Sequence, residues 1–135
     1  MNFLVDTSIL IEIENNNEAA IKELEQLRND MPQASLYISI FTYSEFYFGI
    51  INKSEKNKNK VVERLNDYPL LNTTRKTAII FSELLHLVKK KGKMVPHFDL
   101  FIAALAIEND MVLITGDNHF KEIPQLRSRI LHQNG

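Results

Sequence analysis

The chain has 135 residues, no cysteine and a formal net charge of −1, which leaves out a disulfide framework, a thiolate metal site and a globally basic nucleic-acid binder. With 44% hydrophobic and 24% charged residues, it has the length and apolar content for one domain with a true core, and residues 1–135 are expected to form a single domain. No apolar run is long enough to span a bilayer and no basic-then-apolar leader precedes Phe3, so a cytoplasmic protein without a membrane partner is expected.

The first predicted strand is Phe3-Leu4-Val5, followed by three possible helix caps, Asp6, Thr7 and Ser8, and the apolar run Ile9 to Ile13. Asn15 to Asn17 breaks that helix. A second helix carries Ala20, Ile21, Leu24 and Leu27 at helical spacing, and Pro32 ends the region. Leu36 to Ile40 is β-rich, and the aromatic stretch Phe41 to Ile51 predicts a buried helix. Lys53 to Lys60 is polar and charged and is expected to form the hairpin into a helix bearing Val61, Val62 and Leu65. Pro69-Leu70-Leu71 predicts a short strand, with proline at its start. The longest amphipathic helix is expected over Arg75 to Lys91, with Ala78, Phe81, Ser82, Leu85 and Val88 on its inner face, Leu84 beside it and Gly92 as its stop. Another helix begins near Phe98-Asp99 and ends at Asn109-Asp110. Met111 to Thr115 is a buried strand, and Ile130-Leu131 is a possible edge strand in a less regular tail.

Strands that alternate with helices imply a mainly parallel sheet covered on both faces, and in such sheets ligands bind outside the carboxyl ends of the strands. Asp6 and Asp117 each follow a predicted strand, and Asp99 opens a helix that begins at the same edge. Glu45 lies about one turn inside its helix, between Phe41, Thr42, Phe48 and Gly49, a face that does not look solvated. Taken singly, Asp6 and Asp99 read equally well as helix caps and Asp117 as a turn former. A buried carboxylate without a partner costs several kcal/mol, however, and a shared divalent cation would explain all four acids together. Hard oxygen donors and the absence of cysteine suit Mg²⁺ or Mn²⁺ rather than zinc. Thr7, Ser8 and Thr115 are ordinary cap or turn residues that would orient ligands or water beside a metal. His97 and His119 each stand two positions from an acid, either exposed or with a part in metal choice or leaving-group contact. The lysine clusters at positions 53–60 and 89–93 are solvated helix ends or a phosphate-backbone surface flanking an acidic site.

Val5-Asp6-Thr7-Ser8, Ser39 to Gly49, Asp99 to Ala104 and Thr115 to Phe120 together resemble the PIN-domain ribonucleases, and among them the VapC-type toxins of toxin–antitoxin pairs. Each motif is weak alone; the ordered set spans nearly the whole chain. The resemblance implies a three-layer α/β/α sandwich around a mainly parallel sheet of about five strands. It also implies endonucleolytic hydrolysis of RNA with Mg²⁺ or Mn²⁺ held by Asp6, Glu45, Asp99 and Asp117, a cognate antitoxin partner and a homodimer. One position departs from the family pattern: His119 stands where a further acid is often found. Two other classes share features with these residues. A phosphoacceptor receiver domain needs an aspartate after the central strand and a lysine after a late one, and Leu71-Asn72-Thr73 and Thr115-Gly116-Asp117 supply neither. A non-catalytic RNA- or protein-binding module on the same fold is the better rival, against which the four acids argue.

Overall fold

The computed structural model describes residues 1–131. Five strands, β1 (Phe3–Val5), β2 (Leu36–Ser39), β3 (Leu70–Leu71), β4 (Val112–Thr115) and β5 (Ser128–Ile130), pair in the order β3-β2-β1-β4-β5, every pair parallel. Six α-helices connect them: α1 (Thr7–Glu14), α2 (Glu18–Asp30), α3 (Ile40–Ile50), α4 (Glu55–Leu65), α5 (Arg75–Lys90) and α6 (His97–Glu108), with a short 3-10 helix at Asn118–Glu122. The period-two alternation of β1 and β4 divides the core into two layers. Phe3, Val5 and Ile114 pack with Ile9, Leu10, Leu24, Leu27, Ile38 and Phe46 beneath α1 to α4. Leu4 and Leu113 pack with Leu84, Val88, Leu100, Ala103 and Phe120 beneath α5 and α6. The result is the three-layer α/β/α sandwich expected from the sequence.

Local chemistry sets the helix starts. Asn17 caps α2 by accepting from the Ala20 N–H at 3.1 Å, and Ser39 caps α3 by accepting from the Thr42 N–H at 3.0 Å. Thr74 and Thr77 form a reciprocal capping box at α5. Both hydroxyls also donate to the carboxylate of Glu108 at the end of α6, Thr74 at 2.5 Å, which ties the two outer helices together.

Three expectations are corrected. Lys56, Lys58 and Lys60 are not in a hairpin, because α4 begins at Glu55, where Ser54 accepts from the Asn57 N–H and Lys58 pairs with Glu55. The inner face of α5 is rotated: Leu84 and Val88 are buried as expected, but Thr77 joins them, while Ala78 and Ser82 are exposed. The final strand spans Ser128–Ile130 and pairs parallel to β4. Among the described residues, no helix is long and apolar enough to cross a membrane.

The order of the strands places the site. From β1 the chain crosses to β2 and β3 on one side; it then returns through α5 and α6 to β4, on the other side of β1. Connections therefore leave β1 and β4 in opposite directions, and the crevice between their carboxyl ends is the ligand position of an open parallel sheet. Asp6 follows β1, and Gly116-Asp117 follows β4. Leu113, in the middle of β4, has no solvent exposure. Leu113→Ala is expected to lower unfolding free energy by about 3 kcal/mol through cavity formation; urea titration checks this, and a loss no larger than that of an exposed-site control would contradict the packing described.

Candidate metal centre

Asp6 stands at the N-cap position of α1 but makes no capping hydrogen bond with its side chain. The residue is 4% exposed, and Oδ2 accepts from Thr115 Oγ1 at 2.7 Å and from Ser8 Oγ at 2.9 Å. The two hydroxyls are held in turn: Ser8 accepts from the Gly116 N–H at 3.1 Å, and Thr115 accepts from the Asp117 N–H at 3.1 Å. Chain reversals after β1 and β4 are thereby knitted around one carboxylate.

Glu45 lies on α3 and is half-buried. Thr7 Oγ1 donates to Glu45 Oε1 at 2.8 Å and lies 3.1 Å from Thr42 Oγ1. One hydroxyl proton serves one acceptor at a time, and the carboxylate is the stronger and nearer. The face around Glu45 is more open than the sequence suggests, since Phe48 is 78% exposed and a methyl group on Gly49 would meet nothing within 4 Å. Glu45 and Gly49 line a groove of about 500 Å³ with Ile50, Lys53, Asn57 and Lys60.

Asp99 occupies the third position of α6, so it is not a helix cap. Its helix is seated by stacked rings: Phe101 lies 4.7 Å from Phe41 of α3 and 3.8 Å from Phe81 of α5, centroid to centroid. Asp117 precedes the 3-10 helix and accepts from the His119 N–H at 3.1 Å, so the turn-forming role expected of it is also real. The His119 ring lies between these two acids, with Nδ1 2.6 Å from Asp117 Oδ1 and Nε2 3.0 Å from Asp99 Oδ2. Asp99, Asp117 and His119 each offer a donor atom within 4.8 Å of the others. His97 is elsewhere: it is exposed and meets the edge of Phe81.

Electrostatics joins the two halves. Burial pushes the Asp6 carboxyl above the usual carboxylate range, Thr115 and Ser8 pull it back in part, and the Asp99 charge pushes it up again. Burial likewise raises Glu45, against the Thr7 hydrogen bond and with the charges of Asp99 and Asp6. Asp99 is raised by burial and by Asp117, against the contact with His119. Among the described residues, no lysine or arginine lies within salt-bridge distance of any of the four acids. Asp6, Glu45 and Asp99, raised by desolvation and mutual repulsion and with no lysine or arginine to pair them, fit a small divalent cation together with Asp117. Sequence reasoning named Thr42 only as a neighbour of Glu45; the structure adds that its hydroxyl lies 3.1 Å from Thr7 Oγ1, beside the Glu45 carboxylate.

The fold and this acidic edge define a class. The PIN domain family model matches residues 3–126, and the chain belongs to the PIN-domain family. Ribonuclease VapC2 of Rickettsia felis is 27% identical over 130 residues, covering 93% of this chain and 95% of the relative. The VapBC-1 structure from nontypeable Haemophilus influenzae superposes with a TM-score of 0.82 at 25% identity, covering 96% of this chain and 98% of that one. The crystal structure of VapBC2 from Rickettsia felis, bound to a DNA fragment from its promoter, has the same fold, with a TM-score of 0.85 at 23% identity and coverage of 98% and 100%.

The raised acids carry a stability prediction. A carboxyl whose folded pKa lies above its unfolded value binds protons more readily when folded, so the metal-free protein loses stability as pH rises from 4.5, the ordinary value for Glu45, through the raised folded value. Glu45→Gln keeps an acceptor for Thr7 and removes the charge. In a chelator at neutral pH it is expected to raise the melting temperature by about 2 °C, a modest gain because solvent screens this half-exposed group, and the gain should fade below pH 4.5. A melting point unchanged or lowered at neutral pH would contradict the repulsion described.

Proposed function

We propose that the chain is a single-domain, metal-dependent endoribonuclease, the toxin of a toxin–antitoxin pair, which hydrolyses RNA phosphodiester bonds at the edge formed by Asp6, Glu45, Asp99 and Asp117. The observation that carries this reading is the electrostatic position of Asp99, whose charge acts on both Asp6 and Glu45 while its own carboxyl responds to Asp117. Four acids gathered at one crevice without a lysine or arginine beside them are poorly suited to a binding module and well suited to a cation. The names of the relatives, ribonucleases and complexes of the VapBC type, support the same activity and an antitoxin partner.

Asp6 and Asp99 would hold Mg²⁺ or Mn²⁺ most directly, with Asp117 beside them. When bound, the ion acidifies a water and neutralises charge that builds on the phosphate. Glu45, oriented by Thr7 and raised by burial, accepts the proton from the attacking water. Ser8 and Thr115 hold the Asp6 carboxylate in one orientation, so that no reorganisation is needed on loading. Lys53 and Lys60 share the groove wall with Glu45 and would contact the RNA backbone, because the acidic edge itself repels phosphate. A homodimer belongs to the same reading, and Met94 and Phe98 leave apolar surface exposed at the start of α6. The expected place of action is the cytoplasm.

RNA end mapping after expression of the wild-type chain and of Asp99→Asn tests this. Cleavage should fall about 100-fold or more in the variant and on chelation of the wild type. Equal cleavage by both, or wild-type cleavage that persists in chelator, would overturn the metal site, and no cleavage by either would favour the non-catalytic module.

A further inference from the structure

His119 turns both ring nitrogens onto carboxylates, Nδ1 to Asp117 at 2.6 Å and Nε2 to Asp99 at 3.0 Å. A neutral imidazole carries one ring proton. The Nε2 contact is a hydrogen bond to the Asp99 carboxylate, and a cation seated between these two atoms would take the place of its proton. The 3.0 Å separation also matches the edge of an octahedral shell whose metal–ligand bonds are about 2.1 Å. Asp117 stands at the other ring nitrogen, the position of the carboxylate behind a metal-bound histidine. Its acceptance of the His119 backbone N–H at 3.1 Å keeps acid and ring registered with one another.

We propose that His119 Nε2 is a direct ligand of the ion held by Asp99, with Asp117 as a positioning residue, and that this mixed nitrogen and oxygen donor set selects a first-row transition dication such as Mn²⁺ over Mg²⁺. The inference rests on the metal-dependent reading above and adds which residue sets the metal. Carboxylate and water shells suit Mg²⁺, whereas an imidazole donor shifts preference toward the transition ions. An aspartate at position 119 would leave an all-oxygen shell and no such bias.

Pulsed electron paramagnetic resonance of the untagged full chain loaded with Mn²⁺ reads the bond directly. Wild type should show nitrogen hyperfine coupling from a bound imidazole, and His119→Asp should lack it. Calorimetric titration should give wild type an affinity for Mn²⁺ about tenfold or more above that for Mg²⁺, a ratio that falls toward unity in His119→Asp. Asp117→Asn should weaken Mn²⁺ binding by about tenfold with the nitrogen coupling retained. Bound Mn²⁺ without nitrogen coupling in the wild type, or an unchanged metal ratio in His119→Asp, overturns His119 as a ligand and leaves the four-acid site standing. Failure of the wild type to bind Mn²⁺ at all overturns both.

Discussion

The hydrogen bond from Thr115 to Asp6 joins the ends of two neighbouring strands, and most of the molecule is arranged around that junction. β1 and β4 are the strands from which the chain departs in opposite directions, so a crevice is left between their carboxyl ends. A buried carboxylate at such a point is costly unless its lone pairs are met. Here they are met by hydroxyls that are themselves fixed by the amides of Gly116 and Asp117. The geometry of one loop thus constrains the geometry of the other, and Asp117 is delivered to the crevice by the same contacts that satisfy Asp6.

Asp99 and Glu45 reach this junction from opposite layers. Asp99 comes from the α5–α6 side, where the stack of Phe41, Phe101 and Phe81 seats the start of α6. Glu45 comes from the α1–α4 side, its carboxylate aligned by Thr7 from the turn after Asp6. The helices of each layer contribute one acid and the strands contribute the other two. Such a site exists only when both cores are closed, so the repulsion among the acids is carried by the packing energy of the whole sandwich rather than by local contacts.

The alternation of strand and helix was legible in the sequence because each strand is short, apolar and bounded by cap or turn residues: Asp6 after Val5, Ser39 after Ile38, Gly116 after Thr115. Asp6 and Asp117 were legible because they fall at those boundaries, Asp99 because it opens a helix, and Glu45 because it stands among large apolar residues. What periodicity misplaced has particular causes. The start of α4 was hidden by lysines that resemble a loop in composition, while its actual signal, Ser54 followed by Glu55, is only two residues long. The inner face of α5 was misjudged because Thr77, a buried polar residue satisfied by Glu108, does not register as core in an apolar count. The exposure of Phe48 was equally unreadable, since a large ring in an aromatic run implies burial until the neighbouring helix is known to leave that side free. The relation of His119 to Asp99 lies wholly outside local pattern, as 20 residues separate them and only the sheet order brings them together.

The flanks of the sheet bear on the behaviour of the protein at high concentration. Its outermost strands are two and three residues long, Leu70–Leu71, which follows a proline, and Ser128–Ile130, which carries Arg129. An exposed strand edge is a template on which a second chain can add, and brevity, proline and charge are the features that frustrate this addition. Both margins of this sheet carry at least two of them. Edge-to-edge pairing with a second chain is thereby discouraged in the folded state.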